Sequence, residues 1–554
     1  MIRPQMRSRP IAWLWIAWIL LAIWIVSRPP EALLRQSILI DDTFYSLSAA
    51  RHLAAGDGST VDGVHRSNGY QPLWVWILAG VTKVGALGAS GTARAAVFLC
   101  ALATAGAGIL AARLTRALGG SQGAAAWVTA LWLLNPYLLR RQFNGLESAL
   151  AAFLLLAAAC TIVTHNRPRR EARAGILAGL AGLARLDLLI LLPLMALQHL
   201  WRAALLGAAI AVPWLVWSKL EFGSWVPLSG EATRVWYEIT RGGQRLGPLL
   251  LDLDHVSFTA ASAAGLEWPA KALQRLGLAT AWVWLLLPTG AGIAVLLAMP
   301  AEGALRRLSA WWSAVRPLAH LLCGVLAFQW ISFAFLYPAP WHLNRYFLPI
   351  QALLIVATGL FYDRVVAGRA GAAVSATSAR RRWALVLWWA LWSAGLPASA
   401  YPYIRDTTGG LPPSLLLDAA RWFREEVPGQ MRVATLQSGV TGYFSARPVI
   451  NLDGKVNPGA MAALREGRMA DYLCDERIEI FGDWGDLVEM GIFRRAGRAD
   501  FRRRVVRLEG GGAPGPPMAF YRIVGDGSPA SPCASASEPV HVGEQIARPT
   551  PHLR

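Results

Sequence analysis

Residues 39–74 read LIDDTFYSLSAARHLAAGDGSTVDGVHRSNGYQPLW, a polar stretch that separates the first hydrophobic run from the next. It carries Asp41, Asp42, Asp57 and Asp62, in a chain whose charges otherwise gather in short basic segments. After the acidic doublet, TFYSLSAARHL places Phe44 and Leu47 on one helical face, so a short amphipathic helix is expected there. Aspartate is a favoured helix N-cap, which accounts for one of the pair. Two adjacent carboxylates at the edge of an apolar run ask for a further reason.

Working outward, the chain around this stretch has the composition of a polytopic membrane protein. Its 554 residues are 55% hydrophobic and 16% charged, against roughly 25% charged in soluble domains. The net charge of +19 does not point to nucleic acid, because the arginines cluster between apolar runs, as the positive-inside rule requires. Apolar runs lie near 11–27, 72–88, 94–111, 124–139, 147–163, 174–198, 203–217, 278–298, 317–337, 346–362 and 383–400. A helix needs roughly 20 residues to cross the hydrocarbon, so several of these are short.

The basic segments 164–173, 299–316 and 363–382, the Arg113/Arg116 loop and the N-terminus are expected to be cytoplasmic. One arrangement satisfies all of them: 72–88 lies along or dips into the outer face, and 174–198 crosses twice, breaking around Arg185-Leu186-Asp187. That gives eleven spans, with a retained N-terminal anchor inside and the C-terminus outside. The segments 28–71, 140–146, 218–277 and the tail then share the outer face. Residues 1–400 form the membrane module and 401–525 a small extracytoplasmic α/β domain. In it LLLDAARWFREEV reads as an amphipathic helix, and 432–436 and 448–452 as strands separated by a Gly-containing turn. Residues 526–554 read as a disordered Ser/Pro/Ala tail. Cys100, Cys160 and Cys323 sit in apolar runs as small core residues, while Cys474 and Cys533 can pair if the tail is extracytoplasmic.

Four places can carry chemistry. One carboxylate of Asp41 and Asp42 can act as general base on an acceptor hydroxyl. The other can orient it, or hold a divalent cation against a phosphate leaving group. Glu147 stands at the start of the run 147–163 on the same outer side, as a second acidic centre or as simple helix-dipole chemistry. Arg185 and Asp187 are either an ion pair bracing the break or, through Arg185, a contact for an anionic group. In PAPWHLNRYFLP (338–349), His342 and Arg345 can bind phosphate, with Trp341 and Tyr346 as interfacial aromatics. Arg140 and Arg141 can meet lipid phosphates or snorkel. No P-loop, HExxH or CxxC occurs. GGSQG at 119–123 matches a nucleophile elbow in letters only, since no strand-to-helix turn accompanies it.

Taken in order, Asp41-Asp42, NGYQPLW (68–74), GLESAL (145–150), ARLD (184–187), FGSWVP (222–227), NRYFLP (344–349) and VINLDGKVN (449–457) resemble the GT-C superfamily of polyprenyl-phosphate-sugar-dependent glycosyltransferases. That group includes protein O-mannosyltransferases, lipid A aminoarabinose transferases and oligosaccharyltransferases. The resemblance implies an inverting transfer, at the extracytoplasmic face of the inner (plasma) membrane, from a lipid-linked donor to a glycan, lipid or protein acceptor. It also implies Asp41 or Asp42 as base or metal ligand, Glu147 as a second acidic site, and a divalent cation (Mg or Mn) at Asp42 and Glu147. Two departures stand out: Gln71 where many relatives have proline, and the basic residue after Gly-Ser-x-x-Pro displaced to Arg234. A transporter or flippase of lipid-linked saccharides is the competing reading, and it predicts internal repeats and several deep ionisable residues. Only Arg185 and Asp187 lie deep, and no repeat is visible.

Overall fold

The computed structural model describes residues 9–164, 167–240, 301–337, 343–361, 363–364, 414–510 and 512–524. The runs 278–298 and 383–400, the loop portion 241–277, His342, Cys533 and the tail 526–554 lie outside the described residues. What is described is mainly helical, with one small sheet near the C-terminus. The helices Ala89–Ala117, Trp201–Phe222 and the stretch Arg306–Leu336 are long and apolar enough to cross a membrane. Shorter apolar helices include Pro72–Val84, Ser148–Thr164 and Leu348–Phe361. At 1.5 Å per residue, Pro72–Val84 is about 20 Å long, short of the roughly 30 Å hydrocarbon core.

Small residues let the helices approach closely. A Cβ at Gly175 or Gly179, one turn apart on Arg167–Ala184, would run into the backbone of Ala203 or Gly207 on Trp201–Phe222. This is the small-residue packing expected of helices in lipid. Two of the segments read as cytoplasmic loops are helical. Arg167–Ala184 begins within the basic segment 164–173, and Ala301–Ile331 includes most of 299–316. Arg, Glu and Ala favour helix, so the helices run on past their apolar windows. The expected break is present: Arg185 is extended (φ −150°, ψ 117°), followed by a 3₁₀ turn Leu186–Ile190 and the short helix Leu191–Leu197. Cys323, read as a core residue, is exposed, whereas Cys100 is buried. Cys474 is disulfide-bonded.

The C-terminal unit has five strands: β1 (Val433–Thr435), β2 (Val449–Asn451), β3 (Ile480–Trp484), β4 (Val505–Arg507) and β5 (Met518–Ile523), in the order β2-β1-β3-β5-β4. β1 pairs parallel to both β2 and β3, and β5 is antiparallel to β3 and β4. The connection between β1 and β2 is not a turn but the helix Ser438–Ser445, because a parallel pair needs a crossover. The predicted amphipathic helix is Ser414–Glu425. Arg447 ties its C-terminal end down by donating to the carbonyls of Phe423, Val427, Pro428 and Gly429.

Candidate active site

The helix that follows the acidic doublet is Asp41–Ala55, and its N-cap is Ile40. Neither aspartate caps its own helix, which corrects the capping reading. Both occupy the first turn, where carboxylates suit the helix dipole, and they point to different places. Asp42 lines a cavity of about 250 Å³ together with Glu147, Arg185, Asp187, Arg345 and Lys455. Asp41 does not line it. The carboxylate of Asp41 accepts the Val440 N–H at 2.7 Å, so it caps the helix Ser438–Ser445 from across the boundary with the C-terminal unit.

The cavity is assembled from the sequence motifs. Gly145 holds φ +73°, and a Cβ there would stand 2.7 Å from Thr43 Cγ2. Thr43 donates to the Asn144 carbonyl at 2.8 Å and Trp74 to the Gly145 carbonyl at 3.0 Å. These bonds hold the doublet helix, the Pro72–Val84 helix and the Glu147 turn together. Gln71 accepts the Leu186 N–H at 3.3 Å. Asn68 donates to Ser218 at 2.7 Å and accepts the Leu228 N–H at 3.1 Å. Arg140 donates to the Ser37 carbonyl at 2.6 Å. Arg234 is paired with Glu238 and is absent from the cavity lining.

Charges inside the cavity fall into two sets. In the first, Arg185 (3% exposed) donates to Glu147 at 3.1 Å and, through Nε, to Asp187 at 3.0 Å. Gln329 donates to the other oxygen of Asp187. In the second, Asp42 accepts from Arg345 at 2.6 Å and from Lys455 at 3.1 Å. The ring of Tyr346 links the sets, standing 5.0 Å from the guanidinium carbons of both Arg185 and Arg345 and stacked on Phe333. Nε and Nη1 of Arg345 are buried and have no hydrogen-bond partner among the described residues. Such donors are costly to leave unmet. Three cations and three carboxylates line the cavity, so its own charges come close to cancelling.

Asp41, Asp42, Glu147, Arg185, Asp187 and Arg345 therefore come together, Asp41 just behind the wall and the rest in it. His342 lies outside the described residues. The divalent cation expected at Asp42 and Glu147 does not fit the described residues. Asp42 is already paired with Arg345 and Lys455, Glu147 shares Arg185 with Asp187, and a dication would face all three of these positive groups. No group of three or more His, Cys, Asp or Glu with metal-holding geometry occurs among them.

Sequence reasoning missed Lys455. It lies in the 449–457 motif, just after Gly454 (φ +77°), and reaches Asp42 from the C-terminal unit. Burial works against its charge, and the carboxylates of Asp42 and Asp453 outweigh that and keep the ammonium charged. The seam beside it is closely fitted. The N-terminus of Ser438–Ser445 meets Asp483 at the Gln437 N–H, Tyr45 at the Ser438 N–H and Asp41 at the Val440 N–H. Burial pushes Asp41 up to about 7, against the pull of the Val440 amide, and burial likewise pushes Asp483 up to about 7. Phe44 packs on Tyr443 and Phe444 with ring centroids 5.1 Å apart.

Residues 405–498 match a family model described as a domain of unknown function (DUF8728). No curated protein matches the sequence. Among solved structures, the chain is similar to the archaeal oligosaccharyltransferase AglB from Archaeoglobus fulgidus, in complex with an inhibitory peptide and a dolichol-phosphate. That likeness has 13% identity and a TM-score of 0.44 over 84% of this chain and 69% of that one. The same oligosaccharyltransferase in complex with Zn and sulfate gives 14% identity and a TM-score of 0.47, over 80% and 64%. ArnT from Cupriavidus metallidurans in the apo state gives 14% and 0.39, over 95% and 99%. These likenesses are distant.

Proposed function

We propose that this chain is a multi-pass membrane glycosyltransferase that moves a sugar from a polyprenyl-phosphate donor to an acceptor hydroxyl. The transfer takes place on the extracytoplasmic face of the plasma (inner) membrane, with inversion. The observation that carries the reading is Arg345, two of whose buried donors are unmet among the described residues, in a cavity whose three cations and three carboxylates balance. An arginine with free donors in low dielectric is built to receive an anion such as phosphate. Apolar lining from Phe328, Phe333, Val226 and Pro227 suits the first units of a polyprenyl chain.

In this reading the acceptor oxygen attacks the anomeric carbon from the face opposite the phosphate. The bond from that carbon to the phosphate oxygen breaks, its electron pair leaves with the polyprenyl phosphate, and the acceptor proton passes to Asp42. Arg345 stabilises the charge that builds on the leaving group. Arg185, Glu147 and Asp187 form the fixed wall behind it, and Asp41 holds the C-terminal unit in place. No step is routed through a metal. A sugar donor anchored in lipid cannot reach a soluble site, so the catalytic groups belong at the membrane rim.

The test is release of polyprenyl phosphate from a polyprenyl-phosphate sugar by purified protein in detergent or nanodiscs. Wild type is expected to release it and Asp42→Asn to lose at least about 100-fold in rate while still folding and unfolding cooperatively in a thermal melt. Full turnover by Asp42→Asn would remove the assigned base.

A further inference from the structure

We propose that Lys455 is a positioning residue of this active site: the C-terminal unit inserts its ammonium against Asp42 and so fixes that carboxylate towards the cavity. The inference rests on the glycosyltransferase reading and adds a part to it, namely that the catalytic centre is incomplete until the C-terminal unit is docked.

Several independent observations converge on this residue. Lys455 Nζ is 3.1 Å from Asp42 Oδ1 and 3.6 Å from Asp453 Oδ2, with its side chain 15% exposed. Asp42 Oδ2 is taken by Arg345 at 2.6 Å, so the carboxylate is held from both sides, by the membrane module and by the C-terminal unit. The backbone around Lys455 is not loosely placed. Its N–H donates to Asp453 at 2.9 Å, and Trp236 of the helix Leu228–Thr240 donates to the Asp453 carbonyl at 2.8 Å. At Gly69 the two parts touch so closely that a Cβ would run into the Lys455 carbonyl. Elsewhere along the same seam, a Cβ at Gly439 would run into the backbone of Asp41. A lysine that only braced a fold would have no need to end in the cavity wall; this one ends on the carboxylate that the transfer requires. A fixed carboxylate is what orientation catalysis depends on, since misplacement by about 1 Å can cost 100-fold.

The test is a kinetic double-mutant cycle on the full-length protein, following polyprenyl phosphate release. Lys455→Met is expected to lower kcat by about 100-fold with donor KM within about threefold of wild type, because a positioning group acts through Asp42 and not on the donor. Lys455→Arg is expected to recover activity to within about tenfold of wild type, since it restores the charge beside Asp42. Lys455→Met combined with Asp42→Asn is expected to be no slower than Asp42→Asn alone. Turnover of Lys455→Met near wild type, a rise in KM at unchanged kcat, or losses that multiply in the double variant would each overturn the assignment. Thermal unfolding of the same four proteins reads the contact without turnover. The two Tm losses are expected to be less than additive, and strictly additive losses overturn the positioning role even if the wild type transfers no sugar. Absence of release by the wild type alone would instead remove the glycosyltransferase reading.

Discussion

The two charge sets in the cavity are built from the same residue types and behave differently. Around Arg185, the donors have their acceptors, Glu147 and Asp187, and Gln329 donates to Asp187 from behind. Around Arg345, Nη2 serves Asp42 and the Tyr346 hydroxyl, while Nε and Nη1 are buried without partners among the described residues. The first set is closed and fixes the break after Ala184. The second is open and straddles the seam between the membrane module and the C-terminal unit. A closed set contributes structure, and an open one has capacity left for a ligand. Within one cavity, the difference in satisfaction, more than the presence of charge, separates wall from site.

The largest effect should come from breaking the closed set. Arg185→Met leaves Glu147 and Asp187 buried without their cation, which typically costs about 3–5 kcal/mol. Most of the protein is then expected to be lost from the membrane fraction or to unfold at a sharply lower Tm in a thermal melt. Arg345→Met removes an arginine with unmet donors, so its Tm is expected to move little while release of polyprenyl phosphate drops by about 100-fold, about 2.7 kcal/mol at the transition state. Equal thermal losses in the two variants would erase the distinction between closed and open sets.

An intermediate effect should follow from wedging the seam that the open set spans. Gly439→Ala and Gly69→Ala each place a methyl where the opposing backbone already sits. Overpacking of this kind costs about 1–3 kcal/mol. Limited proteolysis is expected to cut the C-terminal unit free sooner in both variants. Activity should fall with it, whereas Gly429→Ala, at an open position of the same unit, should leave both unchanged.

How much of this arrangement was legible in the sequence follows the same division. Asp42, Glu147 and Arg345 each sit near the boundary of an apolar run, where a charged residue stands out, and the break at Arg185 could be read from an ionisable pair inside a hydrophobic stretch. The small size of β1 and β2, three residues each, left their parallel pairing unreadable. So did the helix between them, SGVTGYFS, whose glycines, Thr and Ser are weak helix formers. That helix is held by groups far away in the chain: Asp41, Tyr45 and Asp483 meet its first N–H groups. Lys455 escaped for the same reason, since its partner Asp42 is 413 positions away. Local pattern reveals which residues are unusual; which of them are satisfied, and by what, depends on long-range contacts.

The smallest predicted effect sharpens the comparison at the doublet itself, where Asp42 serves the cavity and Asp41 the seam. Burial holds the Asp41 carboxyl up to about 7, above its unfolded value near 3.9. Between those two values the folded protein keeps a proton that the unfolded chain has lost, so this group's contribution to stability is greatest at low pH and declines as pH rises towards 7. Asp483 and Asp453, also raised by burial, act in the same direction, and the charge of Lys455 moderates the rise at Asp41 and Asp453. Asp41→Asn keeps an acceptor oxygen for the Val440 N–H and has no proton to lose. Above pH 7 it is therefore expected to stabilise docking of the C-terminal unit by about 1 kcal/mol, and to flatten the decline between pH 4 and 7 in thermal melts. Asp42→Asn should show no such gain, because the charge it removes is the one that Arg345 and Lys455 bind. A Tm profile in which the two asparagine variants shift alike would mean that the doublet acts as a single unit.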